Sequence, residues 1–148
     1  MAEEITRRGA THVSAYYPTS GEPGGEYLVP ALKEAGLTVF LPLSLPEGQL
    51  AWAEYIDDDH MAPGKYNIPE PTTTPVDTLA EAGIDFIIVP ALGVDKSGHR
   101  LGKGGGYYDR LLEANPTIDR AVVVYADEVL DYIPYEAHDA QCQCVITD

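Results

Sequence analysis

The sequence has few basic residues. Nine Lys and Arg stand against 24 Asp and Glu, which gives the 148-residue chain a formal net charge of −15. A protein that binds nucleic acid through the phosphates needs a basic face, so this balance argues against a nucleic-acid partner. An anionic ligand would have to be bound where the few cations are concentrated.

Cysteines and long apolar runs are also scarce. The two cysteines, Cys142 and Cys144, alternate in a predicted strand, and we interpret them as small apolar residues because two thiols rarely complete a zinc site. No apolar run approaches the roughly 20 residues that cross a bilayer, and the segment after Met1 does not begin a signal peptide. We therefore expect a cytoplasmic protein without a membrane partner. The sequence does not determine the oligomeric state, for which we favour a monomer.

Strand-like and helix-like segments alternate along the chain, a pattern typical of a parallel sheet covered by helices. The predicted fold is α/β, with a mostly parallel sheet flanked by helices in an open three-layer sandwich, and the length predicts one domain. The predicted strands lie near His12–Tyr16, Thr38–Leu41, Asp85–Val89, Ala121–Tyr125 and Cys142–Thr147. The predicted helices are Gly25–Ala35, Thr78–Ala82 and Tyr107–Ala114.

The strongest functional signal is a glycine-rich loop at residues 102–106, of which four are glycine. Glycines let backbone amides approach a ligand that a Cβ would keep away. A helix predicted to begin at Tyr107 adds unpaired N–H groups and the positive end of its dipole. Arg100 and Lys103 add two full charges on the approach. Together these features predict a site for the phosphates of a nucleotide.

Two common phosphate-binding loops do not match this segment. Only three residues separate Gly98 from the Gly102-Lys103 pair, whereas a Walker A loop has four and continues with Ser or Thr. The dinucleotide fingerprint G-x-G-x-x-G would need a glycine where Tyr107 stands. The loop is therefore of another kind, and it is locally basic because four of the nine cations lie within residues 94–110.

The segment Asp95-x-x-Gly98-x-Arg100-Leu101-Gly102-x-Gly104-x-Gly106-Tyr107-Tyr108-Asp109-Arg110 resembles the signature of the 5-formyltetrahydrofolate cyclo-ligase family. The resemblance extends over nearly the whole chain, through Tyr17 to Glu22, Leu41-Pro42, Asn67-Ile68-Pro69-Glu70-Pro71, Val89-Pro90, and Ile133-Pro134 with Glu136, His138 and Asp139. It implies an ATP- and magnesium-dependent ligase of one-carbon metabolism. Such an enzyme closes the 5-formyl group of its small-molecule substrate, 5-formyltetrahydrofolate, onto N10 to give 5,10-methenyltetrahydrofolate, ADP and phosphate.

The resemblance also implies roles for individual residues. Asp109 and Asp139 would bind magnesium, and Arg100, Lys103 and Tyr107 would act in catalysis. The expected nucleotide contacts are Arg100, Leu101, Gly102, Lys103, Gly104, Gly105, Gly106, Tyr107 and Tyr108. The expected substrate contacts are Tyr17, Glu22, Lys103, Gly104, Gly105, Gly106 and Tyr107.

Several of these residues also have a purely structural interpretation. Arg100 and Lys103 could be solvated loop charges, and Asp109 could serve only as an acid in the first turn of a helix. Glu22 could cap the helix that follows it. We interpret His99 and His138 as structural or solvated, because the implied chemistry needs no strong base.

The irregular middle of the chain, residues 44–74, contains four prolines, and its stretch Gln49–Tyr55 predicts an edge strand or hairpin arm. Its aromatic residues Trp52, Tyr55 and Tyr66 have two interpretations. They would either form a wall for a flat pterin ring or fill the core and fix the loop.

The chain departs from the family pattern before its first strand and after Glu22. Family members carry a further N-terminal helical region with a Lys and an Arg that reach the nucleotide, so we expect a single cyclo-ligase-like domain over residues 1–148 that lacks this region. Pro23-Gly24-Gly25 stands where members often have an Asp-Thr pair. Two other functions stay open: a non-catalytic folate- or nucleotide-binding relative, and an α/β enzyme acting on a sugar phosphate or acyl-CoA.

Overall fold

The computed structural model describes residues 2–18, 22–101, 107–134, 142 and 144–147. The helices are α1 (Ala2–Arg7), α2 (Leu28–Glu34), α3 (Leu79–Ala82) and α4 (Tyr107–Ala114). The strands are β1 (His12–Ser14), β2 (Thr38–Ser44), β3 (Leu50–Glu54), β4 (Met61–Pro63), β5 (Pro69–Pro71), β6 (Phe86–Pro90), β7 (Gly93–Asp95), β8 (Arg100–Leu101), β9 (Asp119–Val124), β10 (Val129–Leu130) and β11 (Cys144–Thr147).

The central sheet has the strand order β11-β9-β6-β1-β2-β3. Its strands are paired in parallel from β11 to β2, and only β3 is antiparallel to its neighbour. The run Phe86–Val89 in β6 is almost fully buried. A continuous apolar run of this kind is expected in a parallel strand that is covered on both faces.

Alternate side chains of the sheet enter two separate cores. Phe86 and Ile88 share one core with Leu32 of α2, whereas Ile87 on the other face shares a core with Leu112 of α4. Helices α1 and α2 therefore form one outer layer, and α3 and α4 form the other. The α/β fold with a mostly parallel sheet in a three-layer sandwich is confirmed.

Local signals explain where the helices end. Thr78 caps α3, because its hydroxyl accepts a hydrogen bond from the Glu81 N–H at 3.1 Å, and Gly83 ends the helix with a φ of 71°. Near the start of β9, the buried Arg120 donates to the carbonyl oxygens of Leu112 and Asn115 at the end of α4. A cation at this position satisfies helix carbonyls that have no partner within the helix.

All five predicted strands and three predicted helices are present, with ends that differ by at most three residues. The last strand begins at Cys144 rather than Cys142, although Cys142 is buried in the core below α3 and α4. The predicted first helix divides into a 3-10 turn, Gly25–Tyr27, followed by α2. None of the helices in the described part of the chain is both long and apolar enough to cross a bilayer.

The middle of the chain is more regular than predicted. The edge strand predicted at Gln49–Tyr55 is confirmed as β3, and β4 and β5 form a further antiparallel hairpin that we did not predict. Trp52 and Tyr55 are 1% and 3% exposed and belong to the two cores. Their burial supports the interpretation that they fill the core, although Trp52 also lines a groove between α3 and α4. The side chain of Tyr66 lies outside the described part.

The sheet changes its winding direction between β1 and β6. From β1 the chain continues to β2 on one side, whereas from β6 it continues to β9 on the other side. Loops that leave the carboxyl ends of two such strands diverge and form the crevice in which open α/β sheets bind ligands. The segments that follow Ser14 and Pro90 flank this crevice.

Candidate functional site

A small sheet extends beyond the carboxyl ends of the central strands and carries Arg100. Its order is β10-β7-β8, where β7 follows β6 and β10 follows β9 along the chain. Because β8 is antiparallel to β7, Leu101 pairs with Gly93, close to the end of β6. The chain thus enters the glycine-rich loop at the carboxyl edge of the central sheet.

Arg100 and Asp109, on either side of that loop, are in direct contact. The Arg100 Nη2 atom donates to the Asp109 Oδ1 atom at 2.8 Å. The side chain of Arg100 is only 5% exposed, whereas that of Asp109 is 45% exposed. The interpretation of Arg100 as a solvated loop charge is therefore wrong. Its Nε atom is also buried, and no described residue accepts a hydrogen bond from it.

Tyr108 lies beside this ion pair, with the centroid of its ring 6.0 Å from the Arg100 Cζ atom. Burial raises the pKa of the Tyr108 phenol, and Glu22 raises it further, whereas Arg100 lowers it by a smaller amount than burial raises it. The phenol therefore stays protonated at neutral pH and can donate a hydrogen bond.

The loop after β1 brings Tyr17 and Glu22 to the same edge. The Tyr125 hydroxyl, just after β9, donates to the Glu22 carbonyl oxygen at 3.1 Å, and the Tyr16 hydroxyl donates to the Pro23 carbonyl oxygen at 3.2 Å. Burial raises the pKa of Tyr17, with smaller contributions from Asp58 and Glu26. The structure thus brings Glu22, from a distant segment, toward Tyr108, which lies with Arg100 and Asp109 beside the glycine-rich loop.

Tyr107, the first residue of α4, is 36% exposed and lies under the Arg110 guanidinium at 5.2 Å from Cζ to ring centroid. Both residues line a groove of about 570 Å³ between α3 and α4. Leu50 and Thr78 form part of its opposite side. Tyr107 therefore connects the glycine-rich loop to an open surface that is large enough to receive part of a ligand.

Asp95 holds the hairpin that presents Arg100, a role that we did not predict. Its buried carboxylate accepts four hydrogen bonds, from the backbone N–H groups of Ser97, His99 and Ile133 and from His99 Nδ1, at 2.9–3.2 Å. The Asp-x-x-Gly spacing is a turn signal in the sequence, but the bond to Ile133 joins residues 38 positions apart. His99 is thus a structural residue, as interpreted.

We expect Asp95→Asn to lower the free energy of unfolding by about 2 to 3 kcal/mol at pH 7, because an amide leaves a buried N–H group facing another donor. Burial alone would raise the pKa of Asp95, but the hydrogen bonds from His99, Ile133 and Ser97 outweigh burial and lower it. The carboxylate's contribution is therefore complete above the unfolded pKa of about 3.9 and is lost as the pH falls through the lower folded pKa.

Urea unfolding of both proteins between pH 7 and pH 3 measures this effect. The difference between the wild type and Asp95→Asn should shrink below about pH 4. Asp127→Asn, which changes an exposed carboxylate, should follow the wild-type curve. A constant difference at all pH values would contradict the assigned charge.

Part of the predicted site lies outside the described residues. This part comprises Gly102, Lys103, Gly104, Gly105 and Gly106, together with His138 and Asp139. No group of three His, Cys, Asp or Glu side chains within the described ranges is arranged to hold a metal ion. Magnesium, however, is commonly held by one or two carboxylates with phosphate oxygens and waters, and Asp109 offers one half-exposed carboxylate at a helix N-terminus.

Comparisons with known proteins agree on one family. The model of the 5-formyltetrahydrofolate cyclo-ligase family matches residues 1–148. The chain is 41% identical over 143 residues to a 5-formyltetrahydrofolate cyclo-ligase of Mycolicibacterium smegmatis, covering 91% of this chain and 72% of that protein. It is 29% identical over 161 residues to that of Escherichia coli, covering 98% and 88%.

Two solved structures are similar to the fold. A 5,10-methenyltetrahydrofolate synthetase from Aquifex aeolicus matches with a TM-score of 0.74 and 27% identity, over 99% of this chain and 75% of that one. Another from Mycoplasma pneumoniae matches with a TM-score of 0.71 over 98% and 78%, and its 19% identity bears on the fold alone. These names favour a cyclo-ligase over an enzyme of sugar phosphates or acyl-CoA.

Proposed function

The chain belongs to the 5-formyltetrahydrofolate cyclo-ligase family, and from this premise we propose that residues 100–109 bind the phosphates of ATP beside a reduced folate at the carboxyl edge of the sheet. The reaction is the ATP-dependent conversion of 5-formyltetrahydrofolate to 5,10-methenyltetrahydrofolate. It forms a C–N bond and releases ADP and phosphate.

The buried guanidinium of Arg100 is the main observation that supports a nucleotide site. Its Nη2 atom is held by Asp109 and its Nε atom has no acceptor among the described residues. A buried donor without a partner costs free energy in the free protein. An anionic oxygen beside Arg100 would satisfy this donor, and a guanidinium fork matches phosphate geometry better than an ammonium group does.

Asp109 and, by resemblance, Asp139 would hold magnesium. Asp109 fits this role because a carboxylate is a preferred ligand of the ion and lies next to the proposed phosphates. Its half-exposed position leaves room for the water molecules that magnesium retains. When bound, ATP supplies the phosphoryl group that activates the formyl oxygen, and magnesium offsets the phosphate charge.

Tyr17 and Glu22 would contact the substrate. Glu22 lies near Tyr108 and is fixed through its backbone by Tyr125. A carboxylate there can accept hydrogen bonds from the N–H groups of a pterin. The folate would then lie between the loop after β1 and the N-terminus of α4, with Tyr107 at its edge.

The site needs no nucleophilic side chain. Phosphoryl transfer depends mainly on positioning and charge neutralisation. Arg100 and, by resemblance, Lys103 and the amides of the glycine-rich loop would stabilise the transferring oxygens. The protonated Tyr108 phenol adds a donor next to Arg100, and Asp95 keeps the hairpin of Arg100 in place.

A direct assay tests this function. We expect purified protein with magnesium, ATP and 5-formyltetrahydrofolate to produce the near-ultraviolet absorbance of the methenyl product, and we expect no signal when ATP is omitted. Calorimetry on the same preparation measures ATP binding. Binding without any product would instead identify a non-catalytic folate- or nucleotide-binding relative.

A further inference from the structure

We propose that Asp109 changes partners when the nucleotide binds, and that this exchange makes the site reject ATP that carries no divalent cation. In the ligand-free protein Asp109 neutralises Arg100. With the metal–nucleotide complex bound, Asp109 turns to the metal, and Arg100 keeps its position and pairs with the phosphates. The inference rests on the proposed function and assigns Asp109 a second role as a counter-ion.

The burial of Arg100 explains why it needs a counter-ion in the empty site. Because the Arg100 side chain is only 5% exposed, its guanidinium has lost most of its hydration, and the 2.8 Å bond to Asp109 replaces part of it. A buried charge without a partner is strongly disfavoured, whereas a paired one is tolerated. Asp109 therefore occupies the side of Arg100 that a phosphate would otherwise use.

The position of Asp109 allows it to leave. Its side chain is 45% exposed, so rotation away from Arg100 moves the carboxylate toward water rather than into the core. It also lies in the first turn of α4, where the helix dipole favours a negative charge whichever partner it has. The buried Arg100 stays fixed while the exposed Asp109 moves.

The negative charge of Asp109 then determines whether ATP binds better with or without a divalent cation. Metal-free ATP would bring its phosphates toward Arg100 while Asp109, with a like charge, remains beside them. A divalent cation between Asp109 and the phosphates reverses this interaction from repulsion to attraction. Removal of the Asp109 charge should therefore have opposite effects on the two forms of ATP.

Calorimetric titration of Asp109→Asn with ATP measures this sign change. In EDTA we expect the variant to bind ATP about five- to tenfold more tightly than the wild type, because a like charge has been removed. With excess magnesium we expect binding about tenfold weaker than the wild type, because one metal ligand has lost its charge. Asp109→Glu, which keeps the charge, should retain the wild-type preference for magnesium-ATP.

Glu113→Gln is the matched control. Glu113 is exposed and lies one turn further along the same helix. Its substitution by Gln changes the net charge by the same amount as Asp109→Asn. We expect its affinities to remain within about twofold of the wild type in both conditions. If this control also binds metal-free ATP more tightly and magnesium-ATP more weakly, overall charge causes the effect and the proposed exchange of partners is wrong.

Other results would also overturn the proposal. If Asp109→Asn weakens the binding of metal-free ATP and of magnesium-ATP equally, Asp109 only orients Arg100. If the variant binds both forms equally more tightly, or binds both as the wild type does, Asp109 does not bind the metal. In each of these cases wild-type turnover would still support the proposed reaction, although the magnesium role of Asp109 would fail wherever Asp109 does not bind the metal. If the wild type neither binds ATP nor forms product, the nucleotide site itself is wrong.

Discussion

Replacing Gly98 by alanine should lower the free energy of unfolding by about 3 to 5 kcal/mol, because two costs act at one buried residue. Gly98 has a φ of +85°, which side chains with a Cβ rarely adopt. An added Cβ would also overlap the carbonyl oxygen of Cys142, whose N–H donates to the Gly98 carbonyl oxygen at 3.0 Å. Moving the backbone of Gly98 or of Cys142 to make room for the Cβ would break this hydrogen bond.

Gly9→Ala separates the two costs. Gly9 has the same φ of +85°, but nothing lies within 4 Å of an added Cβ. We expect this control to lose only about 1 to 2 kcal/mol, from backbone strain alone. Chemical denaturation of both variants measures the difference. A Gly98→Ala protein no less stable than Gly9→Ala would contradict the packing of the Arg100 hairpin against Cys142.

The second large effect is expected on activity. Arg100→Lys should lower kcat/KM for ATP by about 10² to 10³, the usual loss when one donor to a transition-state charge is removed. A lysine keeps the charge, but its single ammonium group cannot match the phosphate oxygens in the way that a planar guanidinium fork does. We expect the KM for 5-formyltetrahydrofolate to change much less, because Arg100 is proposed to contact the nucleotide.

Arg7→Lys provides the matched control for this variant. Arg7 lies on α1, is 75% exposed and pairs with Glu4 at 2.7 Å, so the same substitution there should leave both kinetic constants unchanged. Initial rates at varied ATP and varied folate give the two values. An Arg100→Lys enzyme within about threefold of the wild type would show that the guanidinium does not contact the reacting phosphates.

The fold could be predicted largely from local patterns. The predicted strand Asp85–Val89 is a buried parallel strand. The predicted helices Gly25–Ala35 and Thr78–Ala82 are each followed by a glycine, Gly36 and Gly83, whose positive φ is a local signal for a helix end. The hairpin of β4 and β5 was missed because its prolines and short strands carry a weak periodic signal. Trp52 shows the same limit, since periodicity does not reveal whether an aromatic residue faces a ligand or the core.

The candidate site divides in the same way. By itself the sequence determined the glycine-rich loop, the cations beside it and the helix that begins at Tyr107, because these depend on neighbours in the chain. Only the tertiary structure decided that Arg100 is buried against Asp109, that Asp95 joins its turn to Ile133, and that Glu22 lies near Tyr108. Burial and pairing between distant segments depend on how the strands are ordered in the sheet, and no local pattern encodes that order.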